Sequence, residues 1–137
     1  MEKIRYWSLW FCLACVIIFL LQLIIPGFTE TFMLTEKAFI MPWQFITAIF
    51  LHGGIAHLLY NLFALFLFGV ILEKTIGSKK FLWIYFLSGI FANLISVFWY
   101  PNALGASGAI MGVIGVVAVL RPGMTVWVYN LPMPMFI

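Results

Sequence analysis

The 137 residues are 66% hydrophobic and 19% aromatic, and only 8% are charged. A soluble domain carries roughly 25% charged residues to cover its surface, so this composition excludes a water-soluble globular protein and makes the bilayer the reference solvent. The formal net charge of +3 is spread in short clusters between apolar runs, the pattern of topology signals and not of a nucleic-acid surface.

In chain order, residues 7–25 form the first apolar run, preceded by Lys3 and Arg5 and stopped by Pro26-Gly27. It is longer than a signal-peptide core and lacks a small-x-small cleavage site, so it reads as an uncleaved first span. Cys12 and Cys15 lie three apart within it, with no second pair or histidine nearby; two free buried thiols fit this better than a redox pair. Residues 45–72 form a second span, and residues 81–100 a third, closed by Pro101. The fourth, Ser107–Leu120, ends at Arg121-Pro122-Gly123. A fifth starts near Met124 and is still apolar at Ile137. The expected fold is an all-α polytopic transmembrane bundle, one membrane domain over residues 1–137, with four complete spans plus the start of a fifth.

Four crossings put Lys3, Arg5, Lys74, Lys79, Lys80 and Arg121 on one side and only Lys37 on the other. Cytoplasmic loops collect Lys and Arg, so the N-terminus is placed in the cytoplasm. The 26–44 loop and the segment before Ser107 are then outside, in an integral, multi-pass protein assigned to the plasma membrane. Tyr6, Trp7, Trp43, Trp99 and Tyr100 lie near span ends, as interfacial aromatic belts require.

The fourth run is anomalous. Its 14 residues reach about 21 Å as a helix, against about 30 Å of hydrocarbon. Anchored by Arg121 at its inner end, it leaves Ser107 recessed below the outer surface. The preceding stretch "PNALGA" is then irregular backbone at membrane depth, tolerated only where it is buried in protein or lines a wet cavity. A serine at a helix start is a favoured N-cap; the same place offers free N–H groups and the positive end of a helix dipole to an oxyanion. Gly108, Gly112 and Gly115 form one stripe of this helix, a contact face for another helix.

The stretch "HGGIAHLLYN" (52–61) is the second constellation. His57 and Asn61 are four apart and share a helix face one turn apart, while His52 sits at the helix mouth. Strongly polar residues inside a span are expensive and are functional more often than not, although a hydrogen-bonded structural histidine is the plain alternative. No Asp, Glu or thiol accompanies the two histidines at ligand spacing, so no metal site is expected.

These residues carry a resemblance. Gly105-Ala106-Ser107-Gly108 matches the Gly-x-Ser-Gly motif of the rhomboid intramembrane serine proteases, and His52, His57 and Asn61 match their second-helix signature. Trp43-Gln44 with Thr47 resembles their Trp-Arg loop, and Glu73-Lys74 with Gly77 resembles the Glu and Gly that end that helix. The similarity runs from about Trp43 to the end of the chain, and the first span fits too. It implies Ser107 as nucleophile and an oxyanion hole from His57, Asn61 and the Ser107 backbone N–H. His52 lines that site, and Gly105 and Gly108 keep the backbone near the serine accessible. It also implies no cofactor and no metal, and as partners the lipid bilayer and membrane-protein substrates cleaved within their transmembrane segments.

Two departures stand out. Gln44 replaces the family's arginine, which is expected to alter how the loop sits at the membrane interface. Rhomboids also take their base histidine from a sixth helix packed on the glycine stripe of the fourth, whereas His52 and His57 are the only histidines here. Without a base, a serine hydroxyl is a poor nucleophile at neutral pH. The chain is therefore expected to be a C-terminally truncated rhomboid, inactive as it stands. The alternative is a catalytically inactive rhomboid-like protein that binds client transmembrane helices.

Overall fold

A computed structural model describes the backbone of residues 3–128 and 131–134. Helix α1 (Trp7–Ile24) contains no Gly or Pro and stops where Ile25 turns extended before Pro26, as the residue preceding a proline must avoid the helical region. A short helix α2 (Phe28–Phe32) and strand β1 (Leu34–Thr35) follow. Helix α3 (Gln44–Thr47) then runs into a 3₁₀ turn, Ala48–Phe50.

The second span differs from its expected 45–72 range. The chain is non-helical at residues 51–54, where Leu51 is extended and Gly53-Gly54 supply no helix-forming side chain. Beyond this break α4 (Ile55–Ala64), a π-helical turn (Leu65–Gly69) and α5 (Val70–Ile76) run on as one 22-residue helix. Helix α6 (Ser78–Ser96) starts three residues before the expected Phe81, after Gly77 at φ 91°, and ends four before Tyr100. Helix α7 is Ser107–Leu120, as its sequence predicts. By length and apolar composition Trp7–Ile24 and Ile55–Ile76 each suffice to cross a membrane. Helix α6 is 19 residues long but opens with Lys79 and Lys80, and α7 has 14 residues.

No fifth helix begins near Met124 among the described residues. Strand β3 (Thr125–Val128) instead pairs antiparallel with β4 (Leu131–Pro134). Pro132 and Pro134 lack the N–H a helix interior needs, and β-branched Thr125, Val126 and Val128 favour extended backbone. Residues 129, 130 and 135–137 of that expected span lie outside the described residues.

The core between the helices is built from Phe11, Ile49, Leu65, Leu72, Phe81, Tyr85, Ile110 and Val113, all buried. Phe11 and Tyr85 stack with ring centroids 4.7 Å apart. At one end of this core the fully buried Glu73 closes the α1 terminus. Its carboxylate accepts the Trp7 and Ser8 backbone N–H groups at 2.9 and 3.1 Å and the Ser8 and Ser78 hydroxyls at 3.2 and 2.6 Å. Two of the four N–H groups that every helix start leaves orphaned are thereby satisfied by a charge on another helix.

The glycine stripe of α7 has a partner, contrary to the expectation that it awaits a helix lying beyond the chain. A Cβ on Gly108 would lie 2.5 Å from the Ala92 Cβ, and one on Gly112 would collide with the Ser88 side chain, both on α6. From the other side, a Cβ on Gly89 would lie 3.2 Å from that of Ala109. Small residues on both helices let the backbones close together. Gly115 alone faces open space.

Candidate active site

The site is where three pieces of backbone converge: the 51–54 break, the start of α4, and residues 102–106 leading into α7. The last of these is not free. Strand β2 (Asn102–Ala103) pairs antiparallel with β1, Leu34 opposite Ala103 and Thr35 opposite Asn102, and the Gly105 N–H donates to the Ala48 carbonyl at 2.8 Å. This satisfies the stretch expected to be irregular.

Gly105 has φ +124°, a conformation L side chains rarely adopt, and a Cβ there would lie 2.8 and 2.9 Å from Cε1 and Nε2 of His57. Both constraints require glycine. The same point is 3.9 Å from the Ser107 Oγ, so the His57 Nε2 and the serine oxygen are less than about 7 Å apart. The two motifs that lie fifty residues apart in sequence thus meet across Gly105. Across the same gap, a Cβ on Gly53 would touch Leu104 at 3.6 Å.

Ser107 is the first residue of α7, and Ala106 occupies the cap position with no side-chain cap bond. The hydroxyl therefore does not cap the helix. The side chain is exposed, while its neighbour Ala106 is fully buried. Among the described residues the Ser107 oxygen has no hydrogen-bond partner, and it stands at the positive end of a 14-residue helix dipole, where developing negative charge is favoured. Gly108, expected to keep the backbone near the serine open, instead meets Ala92 in the helix seam.

The Nδ1 of His57 accepts the Gly53 N–H at 3.3 Å. A neutral imidazole accepting at Nδ1 carries its proton on Nε2, the nitrogen facing Gly105. The proton of a neutral His57 is thus on the side of the ring that faces Gly105. Asn61 lies one turn along the helix, largely buried, and one of its amide N–H groups donates to the His57 carbonyl at 3.0 Å. His52 is buried with its ring edge-on to that of His57, centroids 5.1 Å apart. Its backbone is held by Gln22 of α1: the Gln22 amide donates to the His52 carbonyl and accepts the His52 N–H, both at 3.0 Å.

Gln44 is not a surface group at the interface, as its place in the Trp-Arg motif suggested. It is 1% exposed, and its Oε1 accepts the Thr35 N–H at 3.1 Å and the Thr35 hydroxyl at 2.8 Å. Trp43 beside it is exposed. Helix α3 is further tied by Thr47 Oγ1 donating to the Phe32 carbonyl at 2.7 Å and by Asn93 Nδ2 donating to the Phe45 carbonyl at 2.8 Å. Gln22 and Asn93 escaped the sequence reading, although each is a lone carboxamide inside an apolar helix, a signal that such positions hold something. Cys12 and Cys15 are both free thiols. Among the described residues no three His, Cys, Asp or Glu side chains are grouped to hold a metal ion.

A family model described as the rhomboid domain matches residues 40–137. Rhomboid protease GluP of Bacillus subtilis (strain 168) is 47% identical over 75 residues, covering 53% of this chain and 15% of the relative. Rhomboid-like protease 3 of Toxoplasma gondii is 36% identical over 118 residues, 77% of this chain and 45% of the relative. Inactive RHOMBOID-like protein 8 of Arabidopsis thaliana is 36% identical over 75 residues, 53% of this chain and 21% of the relative. The chain spans less than half the length of each of these proteins.

Proposed function

The chain belongs to the rhomboid family, and from that premise we propose that its site serves intramembrane serine-type hydrolysis of peptide bonds within the transmembrane segments of other membrane proteins. The observation that supports this reading is Gly105: a glycine in the left-handed region, with room for no side chain, stands between the His57 Nε2 and the Ser107 oxygen, which are less than about 7 Å apart.

In this reading Ser107 Oγ attacks the scissile carbonyl and its proton passes to a general base. The carbonyl oxygen becomes an oxyanion, held by the His57 Nε2–H, a free Asn61 N–H and the Ser107 backbone N–H at the α7 terminus. Collapse of the tetrahedral intermediate delivers the proton to the leaving amine, and water then hydrolyses the acyl-serine by the same steps. His52, packed against His57 and clamped by Gln22, lines the site and fixes the imidazole's position. The Nε2–H assignment removes His57 from the base role. The reading therefore gives that role to a histidine outside these 137 residues, presented on the face of α7 that Ser107, Met111 and Gly115 leave exposed. The excess of Lys and Arg at the opposite end of the bundle supports an N-terminus in the cytoplasm of a plasma-membrane protein, with the site opening outward.

A second reading is a rhomboid-like protein that binds client helices without cutting them. It is favoured by the same Nε2–H assignment, which leaves His57 unable to activate Ser107, and by a relative described as inactive.

Fluorophosphonate labelling in native membranes, with the reading frame as encoded, separates the two. The hydrolase reading expects a phosphonyl adduct on Ser107, located by peptide mass spectrometry and lost in Ser107→Ala. A chain that carries no adduct yet photo-crosslinks a transmembrane peptide from position 107 is a binder.

A further inference from the structure

Far from Ser107, at the opposite end of the bundle, a cavity of about 290 Å³ opens between the start of α1 and the start of α6, lined by Lys3, Arg5, Trp7, Ser78, Lys79 and Leu82. From this lining we infer that the cavity is a binding site for the phosphate headgroup of an anionic phospholipid. Three of its six lining residues are cationic, and Lys74 and Lys80, close to Ser78 and Lys79 in sequence, are exposed. Among the described residues neither the Lys3 nor the Arg5 side chain is paired with a carboxylate.

Among the described residues, the carboxylate tied to this end of the bundle is Glu73, which bonds the lining residue Ser78 and is turned inward. Fully buried, it is engaged by the Trp7 and Ser8 N–H groups and the Ser8 and Ser78 hydroxyls. Lys74 stands over the Tyr6 ring, 5.9 Å from its centroid.

The lining combines the two chemistries a membrane amphiphile requires: Lys3, Arg5 and Lys79 supply charge, while Trp7, the first residue of α1, and Leu82, one turn into α6, supply apolar surface. Basic pockets between helices at a membrane surface suit phospholipid headgroups. The volume lies near the small end of the roughly 300–1,000 Å³ typical of small-molecule sites, which fits a headgroup with its acyl chains left in the bilayer. The site is also pre-shaped: the Arg5 N–H donates to the Ser78 Oγ at 2.8 Å, so backbone and hydroxyl join its two walls whatever side chain occupies position 5. None of this depends on the chemistry at Ser107.

Native mass spectrometry of the full chain in detergent, titrated with dioleoylphosphatidylglycerol or dioleoylphosphatidylcholine, tests the inference. One phosphatidylglycerol should be retained in strong preference to phosphatidylcholine. Arg5→Gln, which keeps the backbone bond to Ser78, should weaken it about fivefold, and Lys3→Gln with Arg5→Gln about 25-fold, from the surface attraction per charge. Lys37→Gln, at the other end of the molecule, should change nothing. Equal retention of both lipids, or equal loss on Lys37→Gln, overturns the inference. So does saturation by inorganic phosphate that phosphatidylglycerol cannot displace, which makes the cavity a free-phosphate site. On the unaltered chain, a phosphatidylglycerol with a photoreactive headgroup should label peptides carrying residues 3–7 or 78–82. Labelling confined to other peptides also overturns it.

Discussion

In the proposed reading, a single backbone position decides whether Ser107 and His57 can share a reacting carbonyl. At Gly105 any Cβ would press on the His57 ring at 2.8 Å, and φ +124° is strained for every other residue type. Gly105→Ala should therefore push the imidazole from its place while leaving the helices intact. Expected is loss of fluorophosphonate labelling at Ser107 with an unchanged far-ultraviolet circular dichroism spectrum; a fully labelled variant would unseat the proposed geometry. Asn61 is a different case. One of its N–H groups is engaged by the His57 carbonyl at 3.0 Å, so only the other is free for an oxyanion. Deleting one such donor elsewhere slows turnover by roughly 10²–10³-fold. If the hydrolase reading holds, Asn61→Ala should show a fall of that size in kcat, read from cleavage of a transmembrane substrate. Its effect on thermal stability should be smaller, since the helix keeps its own backbone bonds.

At the scale of elements, the α6–α7 seam and the α1 terminus are the two joints that hold the site's frame. Gly112 and Gly115 look alike in sequence, yet one abuts Ser88 and the other abuts nothing. Gly112→Val should separate the helices and destabilise the bundle by about 1–3 kcal/mol, the usual cost of overpacking. Gly115→Val should leave the thermal transition of this chain near its starting value. If a base-bearing helix packs on that open face, Gly115→Val should nevertheless abolish proteolysis in the intact enzyme, and unchanged cleavage would place that helix elsewhere. Glu73 makes the other joint. Glu73→Ala leaves the Trp7 and Ser8 N–H groups without partners, at about 1–3 kcal/mol for each buried orphan. Thermal unfolding in detergent should register that loss, and Glu73→Gln, which keeps an acceptor oxygen, should lose less.

For the whole molecule, what could be read in advance followed the strength of the apolar pattern. Helix α7 was legible to the residue because Gly105 and Arg121-Pro122-Gly123 bracket an unbroken run. The second span was not, because residues 45–50 are as apolar as the membrane helix that follows, and the Gly53-Gly54 break carries no hydrophobic signal. The hairpin at residues 125–134 was hidden for the same reason: an apolar strand and an apolar helix look alike until the prolines are weighed. At the site, residue types and spacing singled out Ser107 and His57, which flank Gly105, but the clamp on His52 could not be seen, since Gln22 holds the backbone of a residue thirty positions away. The proposed topology rests on six cations at one end of the bundle against Lys37 at the other. If that asymmetry orients the chain, Ser107→Cys in intact cells should react with a membrane-impermeant maleimide added outside. A cysteine placed at Lys80 should react only after the cells are opened. Adding basic residues around Lys37 should weaken or invert that pattern, because the bias is counted over short loops. Labelling of position 80 from outside in the unaltered sequence background would turn the site toward the cytoplasm. The lipid cavity would move with it to the other leaflet, while the internal geometry of both stayed the same.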